Sequence, residues 1–263
     1  MVLPPSVSTV SGRNAQSLAR AVELGLIDEA ASAEDAATCA DLILLATPVG
    51  GLGDVLSRMR AHLRPDTVLT DGGSTKAEVV EAARAALGDR IAQFVPGHPI
   101  AGAERTGPEA ADADLYRKRT VILTPLAENG AASLELVRRA WQACGADVID
   151  MDADAHDRVL ASVSHLPHLL SAVYMEQVAE ATDASTRLAL AGSGFRDFTR
   201  IAAGSPEMWR DIFLSNRDAM LAELADVRTV LDRAERAIAD GDGAALLTLL
   251  DTAARARRNW RKE

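Results

Sequence analysis

The sequence predicts an α/β domain with a Rossmann-type parallel sheet, followed by an all-α domain. Three observations predict this. Short apolar runs alternate with helical periodicity over the first part of the chain. Several of these runs end in tight turn residues, as in Asp71-Gly72-Gly73-Ser74 and Pro96-Gly97-His98-Pro99. Beyond residue 153 the strand signals stop, and long apolar or amphipathic helical patterns take over.

Residues 7–10 form the first strand candidate, followed by a helix over 15–24 that stops at Gly25, a common left-handed terminator. The run DLILLAT, residues 41–47, is nearly continuous in apolar side chains, as expected of a parallel strand covered on both faces. Pro48 and the glycines Gly50, Gly51 and Gly53 break it. A strand over 67–70 leads into a helix reaching Leu87, and a further strand over 91–95 ends at the Pro-Gly-His-Pro turn. Strands over 119–124 and 147–149 flank a helix over 133–144. The helical part reads as 156–181, interrupted only at Pro167, then 205–239, a break at Gly241-Asp242-Gly243, and a last helix from Ala244. Residues 1–153 are thus expected to form a nucleotide-binding domain, and 154–263 a helical substrate and dimerisation domain.

With 263 residues and 48% hydrophobic content, each part is long enough to bury a core. The formal net charge of −10 argues against a nucleic-acid surface, so an anionic substrate must meet a local basic pocket. Cys39 and Cys144 lie far apart without metal-ligand spacing and read as buried thiols in a reducing compartment. No basic-then-apolar leader and no membrane-length apolar segment is visible, so the expected location is the cytoplasm.

Chemistry concentrates in four places. His98 follows a strand directly, where open α/β sheets line their ligand crevice, and a histidine there suits a general base; the bland alternative is a turn histidine bonded to backbone. Ser74 is expected to cap the next helix and to donate a hydrogen bond into the same crevice, with Lys76 a surface lysine. His165 and His168 stand three apart without a Cys or acidic partner in their segment; one is expected to contact substrate and the other to be structural, and no metal is expected. In GSGFRDFTR, residues 192–200, Arg196 and Arg200 share a helical face. Four of the seven Phe and Trp residues lie between Phe195 and Phe213. Two guanidiniums beside aromatic rings suit a small cyclic carboxylate; solvated arginines beside core rings are the alternative. The glycines at 50, 51 and 53 do not fit a dinucleotide loop and read as a loop at the crevice rim.

Taken together, DGGS (71–74), GHPIAG (97–102), SHLPH (164–168), GFRDFTR (194–200) and WRDIF (209–213) resemble the prephenate dehydrogenase family of tyrosine biosynthesis, in the family's order and spacing. The resemblance runs from about Val7 to the end. It implies oxidative decarboxylation of prephenate to 4-hydroxyphenylpyruvate, or of arogenate to tyrosine, with hydride transfer to NAD or NADP. It implies His98 as the base, oriented with the substrate hydroxyl by Ser74, and Arg200 as the carboxylate ligand. Arg196 is expected to reach a partner subunit's site in a homodimer. His168, or His165, would line the pocket and Trp209 would wall it. Cofactor contacts are implied at Ser11, Arg13, Thr47 and Pro48. Ser11-Gly12-Arg13 stands where an acidic residue usually binds the ribose of NAD, which favours the 2′-phosphate of NADP.

Two departures from the family pattern carry expectations. Ala103 replaces a Ser or Thr that often follows the HPxAG motif, removing one polar substrate contact. The family's first strand, glycine-rich turn and most of its first helix are missing, so the chain opens on the second strand. From this follows a rival reading, a catalytically impaired dimer that binds substrate but holds the cofactor poorly. The other rival is a two-domain dehydrogenase of the 3-hydroxyacid or 6-phosphogluconate type. Such enzymes place a lysine where this chain has SHLPH.

Overall fold

A computed structural model describes residues 7–102 and 107–260; Ala103 lies outside them. The chain divides into two compact units, residues 1–216 and 217–263. In the first, the order is β1 (Thr9–Val10), α1 (Ala15–Glu23), β2 (Glu29–Ala30), α2 (Ala33–Cys39), β3 (Leu42–Leu45), α3 (Leu52–Met59), β4 (Val68–Asp71) and α4 (Ala77–Leu87). There follow β5 (Phe94–Val95), β6 (Gly97–Pro99), β7 (Thr120–Leu123), α5 (Ala131–Ala143) and β8 (Asp147–Asp150). Helices α6 (Ala153–Leu160), α7 (Leu166–Ala179), α8 (Ala184–Ala189), α9 (Ser193–Thr199) and α10 (Pro206–Ser215) complete the unit. The second unit is α11 (Arg217–Ala239) packed with α12 (Gly243–Asn259).

Parallel pairing joins β1 to β2, β3 to β4 to β5, and β7 to β8. Strand alternation builds two cores from adjacent residues. Leu69 and Phe94 turn toward a cluster with Leu52, Leu56, Val79 and Leu87 from α3 and α4. Their neighbours Val68 and Val95 turn to the other face, against Val137 and Trp141 of α5. Helices on both faces of a parallel sheet are the expected layering.

Several expectations are corrected. The strand β6 runs antiparallel to β7, so the sheet is mixed, and His98, which follows β5, lies within this further short strand and not in a free turn. Residues 88–93 form a 3₁₀ turn, leaving only Phe94 and Val95 as strand. The run 42–45 is not covered throughout: Leu44 is 45% exposed. Its strand is an edge, and among the described residues no strand pairs between β1 and β3. Cys39 and Cys144 are exposed, because each lies at the last turn or cap of a helix. The glycines at 50 and 51 lie in a 3₁₀ turn that feeds straight into α3 instead of a loop. The expected helix over 156–181 is split by a π-helical turn, Ala161–His165, just before Pro167. Proline has no N–H to donate to the preceding turn, which loosens the ladder there. The expected helix over 205–239 breaks at Asn216.

No described helix is long and apolar enough to cross a membrane.

Candidate active site

The carboxyl ends of β3 and β4 meet the helices that follow β8. Gly73 makes the approach possible: a Cβ there would lie 3.0 Å from Val49 Cγ1 and 2.8 Å from Asp71 Oδ2. Beneath this turn, Lys76 is completely buried rather than on the surface. Its Nζ bonds Asp71 Oδ2 and donates to the Gly97 carbonyl at 2.8 Å, while Asp71 Oδ1 accepts from the Gly97 N–H at 2.9 Å. Burial lowers the Lys76 ammonium below its ordinary value, and Asp71 opposes the shift. The pair clamps β4 to β6 immediately before His98. Breaking one partner of such a buried pair leaves an uncompensated charge.

Ser74 does not cap α4. The first N–H groups of that helix, those of Lys76 and Ala77, donate to the two carboxylate oxygens of Asp157, each at 2.8 Å. The cap comes from α6, about eighty residues on in sequence, and it fastens the sheet half to the helical half within one unit. Next to Asp157, the His156 ring stands with Nδ1 2.7 Å from the carboxylate and Nε2 2.8 Å from His98 Nδ1. Asn216 closes the cluster: its amide donates to the Asp157 carbonyl at 2.8 Å and contacts His165 Nδ1 at 3.1 Å.

Four of the five histidines therefore converge. His98, His156 and His165 are buried. His168 stacks on Trp209 with ring centroids 3.6 Å apart, and His165 meets the same indole edge-on at 6.3 Å. Trp209 is seated by Gly204, where a Cβ would lie 2.6 Å from its indole nitrogen. Burial holds the His98 imidazole well below its ordinary pKa, and Lys76, His156 and His165 push the same way. Burial likewise lowers His165, to about 4. His168 is lowered by burial and by Arg200, which stands close to it. Burial would raise the Asp157 carboxyl, but the hydrogen bonds from His156, Ala77 and Lys76 outweigh it and hold the group below the usual carboxylate range. His98 and His165 are thus held as neutral imidazoles at pH 7, ready to accept a proton without first losing one.

The arginine segment is placed differently from its expected shape. Helix α9 ends at Thr199, so Arg196 is on its exposed side and Arg200 begins a separate 3₁₀ turn, also exposed. Phe195 and Phe198 each pack on Tyr174 of α7, with ring centroids 5.7 and 5.8 Å away. Arg200 is the guanidinium beside the histidine cluster.

Toward the cofactor side, Thr47 Oγ1, just beyond the end of β3 and beside Pro48, is buried without a hydrogen-bond partner among the described residues. Ser11 and Arg13 are exposed in the turn after β1. An orphaned buried hydroxyl at the end of one parallel strand and an open basic turn at another fit parts of an elongated polar ligand. Among the described residues, no group of His, Cys, Asp and Glu is arranged to hold a metal ion.

The residues missed in the sequence were His156, Asp157 and Asn216. A histidine-aspartate pair opening an apolar helix was the available signal.

Comparison with known proteins places the chain in a family. Residues 6–150 match the family model described as prephenate dehydrogenase, nucleotide-binding domain, and 152–252 match the prephenate dehydrogenase dimerization domain. The chain is 36% identical over 243 residues to a cyclohexadienyl dehydrogenase of Zymomonas mobilis, covering 91% of this chain and 81% of that one. It is 33% identical over 241 residues to a prephenate dehydrogenase of Bacillus subtilis, covering 89% of this chain and 63% of the other. Its fold matches the Aquifex aeolicus prephenate dehydrogenase solved with hydroxyphenyl propionate and NAD+, with a TM-score of 0.86 and 32% identity, over 95% of this chain and 88% of that one. The chain belongs to the prephenate dehydrogenase family of nicotinamide-dependent oxidoreductases.

Proposed function

We propose that this chain oxidatively decarboxylates prephenate to 4-hydroxyphenylpyruvate, with His98 as the base. The observation that carries the reading is a buried, neutral His98 whose Nδ1 is engaged by His156 at 2.8 Å. Only its Nε2 is left for a substrate hydroxyl. A nicotinamide cofactor, held at the Thr47 side of the site, would supply the acceptor for the hydride lost from ring C4. His98 Nε2 accepts the C4 hydroxyl proton as positive character builds on that carbon. The carboxylate leaves as CO2 and its bonding pair enters the ring, which becomes aromatic. The proton then returns to the phenol oxygen, so the base is regenerated. The protein's task is to position, desolvate and move one proton.

Ser74, at the turn beside Gly73, orients the C4 hydroxyl, and Arg200 pairs with a substrate carboxylate. His168 and Trp209 form one stacked wall, and His165 meets the same indole edge-on. Thr47 and Pro48 would hold the nicotinamide end of the cofactor. Ser11 and Arg13 would hold its ribose end, where an arginine favours the 2′-phosphate of NADP. The functional division falls at residue 153/154.

Steady-state turnover of prephenate and arogenate, each with NAD+ and NADP+, tests the reading. Prephenate is expected to give the higher kcat/KM. A higher value with arogenate would move the substrate assignment to the amino acid, and no turnover of either would reject the enzyme reading.

The chain also acts as a homodimer, with Arg196 reaching toward the partner's site. Val163, Val173, Leu190 and Phe198 in the first unit are 45–81% exposed, as are Leu231, Ile238 and Leu247 in the second, at 58–68%. Exposed apolar side chains at this density mark an association surface. Light scattering at micromolar concentration is expected to give twice the 27.8 kDa chain mass; the single mass would reject the dimer.

A further inference from the structure

The two buried imidazoles nearest the chemistry are each held by a hydrogen-bond chain that begins at a backbone group of fixed sense. A backbone N–H can only donate and a carbonyl can only accept. These fixed ends decide the direction of every bond that follows.

The first chain begins at α4. The N–H groups of Lys76 and Ala77 donate to Asp157, so its carboxylate must be the acceptor. The same Oδ1 then accepts from His156 Nδ1 at 2.7 Å, which puts the hydrogen of that ring on Nδ1 and leaves a lone pair on Nε2. Nε2 of His156 stands 2.8 Å from His98 Nδ1 and accepts from it. Where each ring carries a single hydrogen, His98 holds it on Nδ1 and keeps a lone pair on Nε2.

The second chain begins at the carbonyl of Asp157. It accepts from the Asn216 amide at 2.8 Å, which fixes that atom as the nitrogen. The same NH2 lies 3.1 Å from His165 Nδ1 and donates to it. His165 therefore holds its hydrogen on Nε2, a fully buried position that makes no hydrogen bond among the described residues. The Ser74 carbonyl lies near enough to favour a proton on this ring, but closes no bond to Nε2.

We propose that Asp157, acting through His156, and Asn216 are positioning residues that set the two imidazoles to opposite polarity, His98 offering a lone pair at Nε2 and His165 an N–H at Nε2. A ring hydroxyl is both donor and acceptor, so opposed partners select it and fix its orientation. The same N–H takes up the charge that gathers on an oxygen as its proton leaves. The consequence for turnover rests on the prephenate reading, whereas the polarity itself does not.

The test is the imidazole tautomer, read by nitrogen–proton correlation NMR on the full chain with 15N-labelled histidine at pH 7. His98→Asn and His165→Gln spectra assign the signals. Wild type is expected to show Nδ1–H at His98 and Nε2–H at His165. Asn216→Asp, which can only accept, is expected to move the His165 hydrogen to Nδ1. His156→Gln keeps the sense of the chain, because the glutamine oxygen accepts from His98 and its NH2 donates to Asp157. It is expected to retain kcat within about tenfold, whereas His156→Leu loses roughly 10²-fold with KM little changed. A merely structural role would make both variants lose activity in step with thermal stability. An Nε2–H tautomer at His98, or an Nδ1–H tautomer at His165, in the wild-type chain overturns the proposal whatever the activity, and needs no variant to fold. Expected tautomers without prephenate turnover would uphold it and reject the function reading instead.

Discussion

His98→Asn lowers kcat by about 10²–10⁴ while KM stays within a few-fold. In the proposed reaction the ring touches the hydroxyl only through Nε2, so its loss removes proton acceptance and little ground-state binding. Asparagine fills a similar volume and its oxygen can still accept a hydrogen bond, but it cannot take the proton. The cavity left is small, and β6 remains clamped to β4 by the Lys76–Asp71 pair and the Gly97 contacts. The variant should therefore fold and bind cofactor normally. Steady-state kinetics with a thermal melt on the same preparation check this. Activity close to wild type would remove His98 from the reaction, and a KM rise with unchanged kcat would make it a binding residue.

Arg200→Ala acts on the other parameter. A charge-assisted, two-pronged bond to a carboxylate contributes about 2 kcal/mol, so KM should rise roughly 30-fold with a smaller change in kcat. The guanidinium is exposed until substrate covers it, which keeps the effect at the low end for such pairs. Arg200→Lys should recover only part of the loss, because an ammonium meets one oxygen where the planar fork meets two. Cofactor affinity, measured separately by fluorescence, should not move. A fall in cofactor binding with substrate KM unchanged would place Arg200 on the wrong ligand.

What was legible in the sequence follows from how local each signal is. The strands ending at Asp71 and Val95 were marked by glycine and proline immediately after apolar runs, and the turn glycines place the loops that carry Ser74 and precede His98. His165, His168 and Trp209 were visible because they sit beside Pro167 or among clustered aromatics. His156 and Asp157 were not, because their partners are 58 and 81 residues away, and only the tertiary fold reveals that a carboxylate caps a distant helix. The burial of Lys76 was illegible for the same reason. Nothing within its own turn distinguishes it from a surface lysine. Where pattern and fold disagreed, the cause was pairing. Leu44 belongs to an apolar run, yet it is exposed because its strand lies at a sheet edge. Phe195 and Phe198 read as part of a carboxylate receptor, yet they are occupied by Tyr174.

The central claim is that this histidine-lined site performs the full oxidation and is not a cleft that only binds substrate. It is tested most directly by mixing the purified chain with prephenate and NAD+ and quantifying reduced cofactor, CO2 and 4-hydroxyphenylpyruvate together. All three are expected in equal amounts, with product formation reduced about 10²-fold or more in His98→Asn. Saturable prephenate binding with no reduced cofactor, with either NAD+ or NADP+ supplied, would contradict it.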